Sequence, residues 1–127
     1  MKPKRFYVAG NPLVSMDSVP IQLMPRLRER FPKIEFVELD PTEDMPEERT
    51  LHLIDTMIGI ERVRVLEDID HIISGKAYSL HDFDLGFTLK LMKKAGKLKN
   101  VRIIGVPADM TEEKAFGELE KTIRKMV

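Results

Sequence analysis

Leu51-His52-Leu53-Ile54-Asp55-Thr56, residues 51–56, decides how the chain is read. Its apolar residues do not alternate strictly with polar ones, since Leu53 and Ile54 are neighbours. A half-exposed antiparallel strand would alternate, whereas a strand covered on both faces need not. The same holds for Val101–Val106 and for Arg5–Ala9, where Phe6, Tyr7, Val8 and Ala9 run without a break. Such strands belong to a parallel sheet, and a parallel sheet needs crossover helices between its strands.

Working outward, the helices are where that argument needs them. Pro20–Phe31 carries Ile21, Met24, Leu27 and Phe31 at helical spacing, with Ser18 as a candidate N-cap. Pro20 suits a first turn, while Pro25 is expected to bend the helix or mark its true start. Phe83–Ala95 reads as a helix with Phe87 and Leu91 inward, closed by Gly96. Thr111–Met126 is the last helix, with Thr111 as its cap. Ile34–Leu39 alternates apolar and acidic residues and reads as a strand near the sheet edge. Arg62–Leu66 is a further strand after Gly59, and Glu67–Leu80 carries no clear period. The expected architecture is α/β: a three-layer α/β/α domain spanning 1–127, with a mostly parallel sheet of about five strands.

Composition narrows the function classes. At 127 residues the chain is long enough for one core and too short for two. Apolar residues are 43% of it, as in globular proteins. Lysine plus arginine equals aspartate plus glutamate at 21 each, so no overall field recruits nucleic acid or an anionic membrane. With no cysteine there is no disulfide scaffold, thiol catalysis or thiolate metal site. The basic start, Met1 to Arg5, leads only into the short apolar stretch Phe6–Ala9, too short for a secretory core. No apolar run approaches the roughly 20 residues of a membrane helix. A cytoplasmic protein without membrane insertion is expected.

In open parallel sheets, ligands gather outside the carboxyl ends of the strands. Three chemically able residues follow such ends. Asp17 lies in the loop after the first strand, Asp55 closes Leu51–Asp55, and His81 precedes the helix expected from Phe83. Two carboxylates and an imidazole suit a first-row divalent metal with coordination positions left open. Each also has a structural reading: Asp17 as a helix cap, Asp55 as the start of a turn, His81 as a neighbour of an N-cap.

The stretch Gly10-Asn11-Pro12-Leu13-Val14-Ser15-Met16-Asp17-Ser18 resembles the opening motif of the nickel–iron hydrogenase maturation endopeptidases. Leu53-Ile54-Asp55-Thr56 is similar to their second motif, and Ser79-Leu80-His81-Asp82-Phe83-Asp84-Leu85 to the segment that carries their histidine. Ile103-Ile104-Gly105-Val106-Pro107 resembles their last strand. The four landmarks come in family order and cover most of the chain. The resemblance implies a phosphorylase/hydrolase-like three-layer fold and a protease that removes the C-terminal extension of a hydrogenase large-subunit precursor. It implies Asp17, Asp55 and His81 as the metal-binding and catalytic residues. The metal would be nickel carried by the substrate, with another divalent metal able to replace it in vitro.

Met16 stands where the family has a second acid, and Ser18 and Pro20 stand where it often has glycine. These departures motivate an alternative, a non-catalytic relative that binds the nickel-loaded subunit or a metal without cutting. Gly10-Asn11-Pro12 lacks the repeated glycines of a phosphate loop, which disfavours a nucleotide-binding reading. No serine, threonine or cysteine sits with a base in a nucleophile arrangement, so covalent catalysis has little support. The ligand set requires ionised carboxylates and a neutral His81, so activity is expected to fall in acid. His52, between Leu51 and Leu53, reads as a core or surface residue rather than a ligand, and so does His71. Lys90–Lys94 reads as a solvated helix face, and Glu38–Glu48 as a solvated acidic loop where a basic partner would dock. The hydrogenase concerned and the oligomeric state are not written in the sequence.

Overall fold

The structure, a computed structural model, describes residues 3–9, 19–39, 48–67, 78–79, 94–96 and 99–127. The strands are β1 (Arg5–Ala9), β2 (Glu35–Leu39), β3 (Thr50–Ile58), β4 (Arg64–Leu66), β5 (Tyr78–Ser79) and β6 (Asn100–Pro107). The helices are α1 (Val19–Arg30) and α2 (Glu112–Met126). The sheet runs β2-β1-β3-β6-β4, with β5 paired to β3 off this path. β1 is parallel to β2 and β3, and β3 is parallel to β6, so the α/β architecture with a mostly parallel sheet holds.

β4 runs antiparallel to β6. Its direction follows from chain length. Residues 59–63 separate β3 from β4, and a parallel crossover needs about a dozen residues. Gly59, at φ 94°, takes the left-handed conformation with which the chain leaves β3.

β3 is the centre of the sheet, and seven consecutive residues of it, Leu51 to Met57, are buried. That is the physical meaning of the unbroken apolar run: both faces are covered. Phe6, Val8, Ile54, Ile104 and Val106 join Leu23, Met24 and Leu27 of α1 and Ala115, Leu119 and Ile123 of α2 in one cluster. Leu51, Leu53, Met57, Val101 and Ile103 form a second cluster with Tyr7, Leu39, Ile60 and Leu66. Both described helices therefore lie on the same face. The helix expected over Phe83–Ala95, the third layer, lies outside the described residues. Gly96, expected to close it, has φ 76°, the left-handed region that a helix-ending glycine takes.

α1 departs in detail from the expectation. It runs through Pro25, which is exposed and removes one helical hydrogen-bond donor. Its buried stripe is Pro20, Leu23, Met24 and Leu27, with Ile21 and Phe31 only half-buried. α2 begins as expected: Thr111 Oγ1 accepts from the Lys114 amide at 3.3 Å. The helices are joined by Arg26–Glu113 at 2.9 Å and Arg30–Glu120 at 3.3 Å, and the Arg26 guanidinium lies 4.0 Å from the Phe116 ring centre. Glu118 of α2 accepts from the Val63 amide at 3.0 Å and fixes the β3–β4 connection to the helix layer.

Gly105 shows how closely the other face is packed. A Cβ there would lie 2.8 Å from Met57 Sδ and 3.0 Å from Ile60 Cδ1. Both neighbours are buried, so neither can swing into solvent. Gly105→Val is expected to lower unfolding free energy by about 1–3 kcal/mol through overpacking. The check is a urea titration, in which the midpoint falls with the slope unchanged.

Candidate functional site

Asp55 has no solvent exposure and lies on β3 between β1 and β6. Alternation along the strand puts it on the face of Leu51, Leu53 and Met57, away from α1 and α2. In the register of β3 and β6, Asp55 stands opposite Gly105. Partners in a parallel ladder share a face, so the position beside the carboxylate carries no side chain. A fully buried carboxylate is costly unless something there interacts with its charge, which singles Asp55 out from the acids of the helices, none of which is fully buried.

The strand order places this residue at a particular point. The chain leaves β1 toward β2 on one side and leaves β3 toward β4, beyond β6, on the other. The crevice at the carboxyl ends of β1 and β3 is therefore a topological switch point, where open α/β sheets bind ligands. β3 outruns β1 there, because β1 pairs with it only through Tyr7–Leu53 and Val8–Ile54. Beyond those pairs β5 adds to β3, with Ser79 opposite Met57 and Tyr78 opposite Ile58. β6 pairs with β3 as far as Met57–Pro107 on one side, so β5 occupies the other, the side of β1. The sequence carries no signal for β5, because a strand of two residues has no period.

Asp17 and His81 both lie outside the described residues, and so does His71. Covalent geometry still bounds two of the three candidates. His81 follows Ser79 by two residues, so their Cα atoms are at most about 7.6 Å apart. Asp17 precedes Val19, the first residue of α1, by the same count and within the same limit. Among the described residues no group of three or more metal-binding side chains stands together. Asp55 fits the expected donor set as a carboxylate, a hard oxygen ligand suited to a divalent ion.

No family model, no curated protein and no solved structure matches the chain. No helix among the described residues is long and apolar enough to cross a membrane.

A different set of polar groups lies at the opposite end of the sheet, where sequence reasoning did not look. Lys4, Arg5, Glu35, Arg49, Thr50 and His52 line an open cavity of about 610 Å³ at the amino ends of β1, β2 and β3. Arg5 pairs with Glu35 and, at 3.2 Å, with Glu48, and donates to the Tyr7 hydroxyl at 3.3 Å. Glu48, the end of the acidic stretch, is thereby tied to β1. His52 is 6% exposed, and its ring meets Phe6 edge-on, with centroids 5.6 Å apart. Of the two roles its alternation with Leu51 and Leu53 leaves open, core or surface, it takes the core one.

Burial, and then the Arg102 guanidinium, push the His52 pKa below its usual 6.5. The unfolded chain binds a proton below about pH 6.5 that the folded chain refuses. Stability from this group is thus complete above pH 6.5 and is lost as pH falls toward the depressed folded value. Urea midpoints should drop between pH 7.5 and 5.5, and the drop should be smaller in His52→Gln, which has no proton to gain.

Proposed function

We propose that the chain is an endopeptidase that removes the C-terminal extension of a nickel–iron hydrogenase large-subunit precursor after nickel insertion. Asp17, Asp55 and His81 meet the nickel ion carried by that substrate. The register of β5 is the observation that carries this reading. It brings Ser79 opposite Met57, two residues from Asp55, and the chain to His81 is only two residues longer. The chain that leads to the candidate imidazole thus leaves β5 next to the strand that carries the buried carboxylate, which supports the reading. Residues 10–18, Asp17 among them, connect the carboxyl end of β1 to α1. The sequence motifs and the topology are independent arguments for one location.

The ion supplies Lewis acidity to the scissile carbonyl or to an attacking water. Asp17 and Asp55 contribute negative charge and oxygen ligands, and neutral His81 contributes a nitrogen. Because the metal arrives with the substrate, the purified protein is not expected to hold it stoichiometrically. The protein acts in the cytoplasm, where the precursor is assembled.

The test is to incubate the protein with nickel-loaded and nickel-free precursor and weigh the products by mass spectrometry. Only the loaded precursor should shorten. His81→Ala should abolish the shortening, and Asp17→Asn should weaken docking to the loaded precursor. Binding of the loaded precursor without any cleavage would favour the non-catalytic relative, with Met16 and Ser18 the first positions to revert.

A further inference from the structure

We infer that Arg28 guards the free edge of the sheet: by occupying the Phe36 carbonyl it keeps a second copy of this chain from adding its own β2 there. The inference concerns self-association and does not depend on what the Asp55 crevice does.

β2 stands at one end of the strand order and pairs, among the described strands, with β1 alone. The strand at the other end, β4, has three residues and offers little ladder, whereas β2 has five. The register shows which backbone groups β2 turns outward. The Glu35 amide donates to the Lys4 carbonyl at 2.9 Å, so Glu35 faces β1. Along a strand in a parallel ladder, the amide and carbonyl of one residue point the same way and successive residues alternate. Glu35, Val37 and Leu39 therefore direct their backbone groups to β1, while Phe36 and Glu38 direct theirs outward. Such a row is a template for another strand.

Arg28 interrupts that row. It lies on α1, and its Nη2 donates to the Phe36 carbonyl at 2.9 Å. Phe36 and Glu38 supply the only two outward acceptors of β2, so one guanidinium removes half of what an incoming strand could bond to. The bond is charge-assisted, and a neutral amide arriving from another chain would have to displace it. Arg28 has no carboxylate within ion-pair distance among the described residues, so an ion pair is not what holds it there. Its position is set from below instead: the neighbouring Leu27 is buried in the same cluster as the Phe36 ring. Glu38, which is exposed, adds a second deterrent, a charge on the edge strand itself.

The experiment measures the mass of the full chain by sedimentation across a wide range of protein concentration. The wild type should keep one mass throughout. Arg28→Ala should rise toward twice that mass as concentration increases, with an unchanged circular dichroism spectrum because the side chain is exposed. Arg28→Met, which keeps the apolar stem along α1 but not the donors, should behave in the same way. Adding Glu38→Pro to either variant should restore the wild-type mass. Proline is tolerated on an edge strand where the amide it removes faces outward, and it blocks pairing on that side. In the associated form the Phe36 and Glu38 amides should exchange hydrogen more slowly. A wild-type chain that doubles its mass, or Arg28 variants that do not, overturns the inference. So does association that Glu38→Pro leaves intact, since it would run through another surface.

Discussion

Asp55→Asn is expected to lower cleavage of the nickel-loaded precursor at least a thousandfold, about 4 kcal/mol of transition-state stabilisation. Asparagine keeps the size and shape of the side chain but removes the charge and one of the two strong oxygen donors. Asp55 has no exposure to solvent, so water cannot readily replace what the substitution removes. The fold should survive, because the change is isosteric and converts a buried charge to a neutral amide. Circular dichroism and the urea midpoint test that part. Single-turnover cleavage of loaded precursor tests the other. An Asp55→Asn protein that cuts at the wild-type rate would remove Asp55 from the site, and the proposed chemistry with it.

Phe6→Ala should cost about 3–5 kcal/mol of stability. Phe6 is fully buried on β1 beneath the two helices. Its ring stacks on Phe36 of β2 with centroids 5.9 Å apart and meets His52 of β3 at 5.6 Å. The ring thus joins three strands at the amino end of the sheet, and alanine would leave a cavity that neighbouring strands cannot close without breaking their ladders. Against the 5–15 kcal/mol typical of a whole domain, this is a large part of the total. Chemical denaturation should show the midpoint falling accordingly. A loss below about 1 kcal/mol would mean that the amino end of the sheet repacks freely. The position of the His52 ring would then not depend on its contact with Phe6.

The two ends of the sheet carry different kinds of chemistry. At the carboxyl end a buried carboxylate lies at the switch point, where topology collects loops. At the amino end, charged side chains from three strand starts line an open cavity. Proteins of this architecture use the first end as a rule, since helix amino termini and loops converge there. At the second end β1, β2 and β3 begin nearly level, with Arg5 opposite Glu35 in the register.

What the sequence determined by itself is local and periodic. Arg5–Ala9 is a strand with the bounds its apolar run implies, and Leu51–Thr56 is a strand buried on both faces because its apolar residues fall on both. The acidic alternation of Ile34–Leu39 marks an edge strand, and Thr111 caps α2 because its hydroxyl reaches an amide three residues on. Asp55 was legible as a suspect because a charge in an apolar run breaks a pattern, although it does not close the strand as expected: β3 continues to Ile58, since Thr56 and Met57 also pair with β6.

Contacts between segments distant in the chain needed the tertiary structure. Leu23 joins the buried stripe because α2 lies beside α1 on the same face, a neighbour that helical spacing alone does not reveal. β5 is two residues long and exists only because β3 extends past β1 and leaves an unpaired edge. The orphaned nitrogen of His52 is a property of Phe6, Arg102 and the strand starts around it. Periodicity reports which side of an element is apolar. Which elements meet, and which polar atoms are left over when they do, is decided by packing across the whole chain.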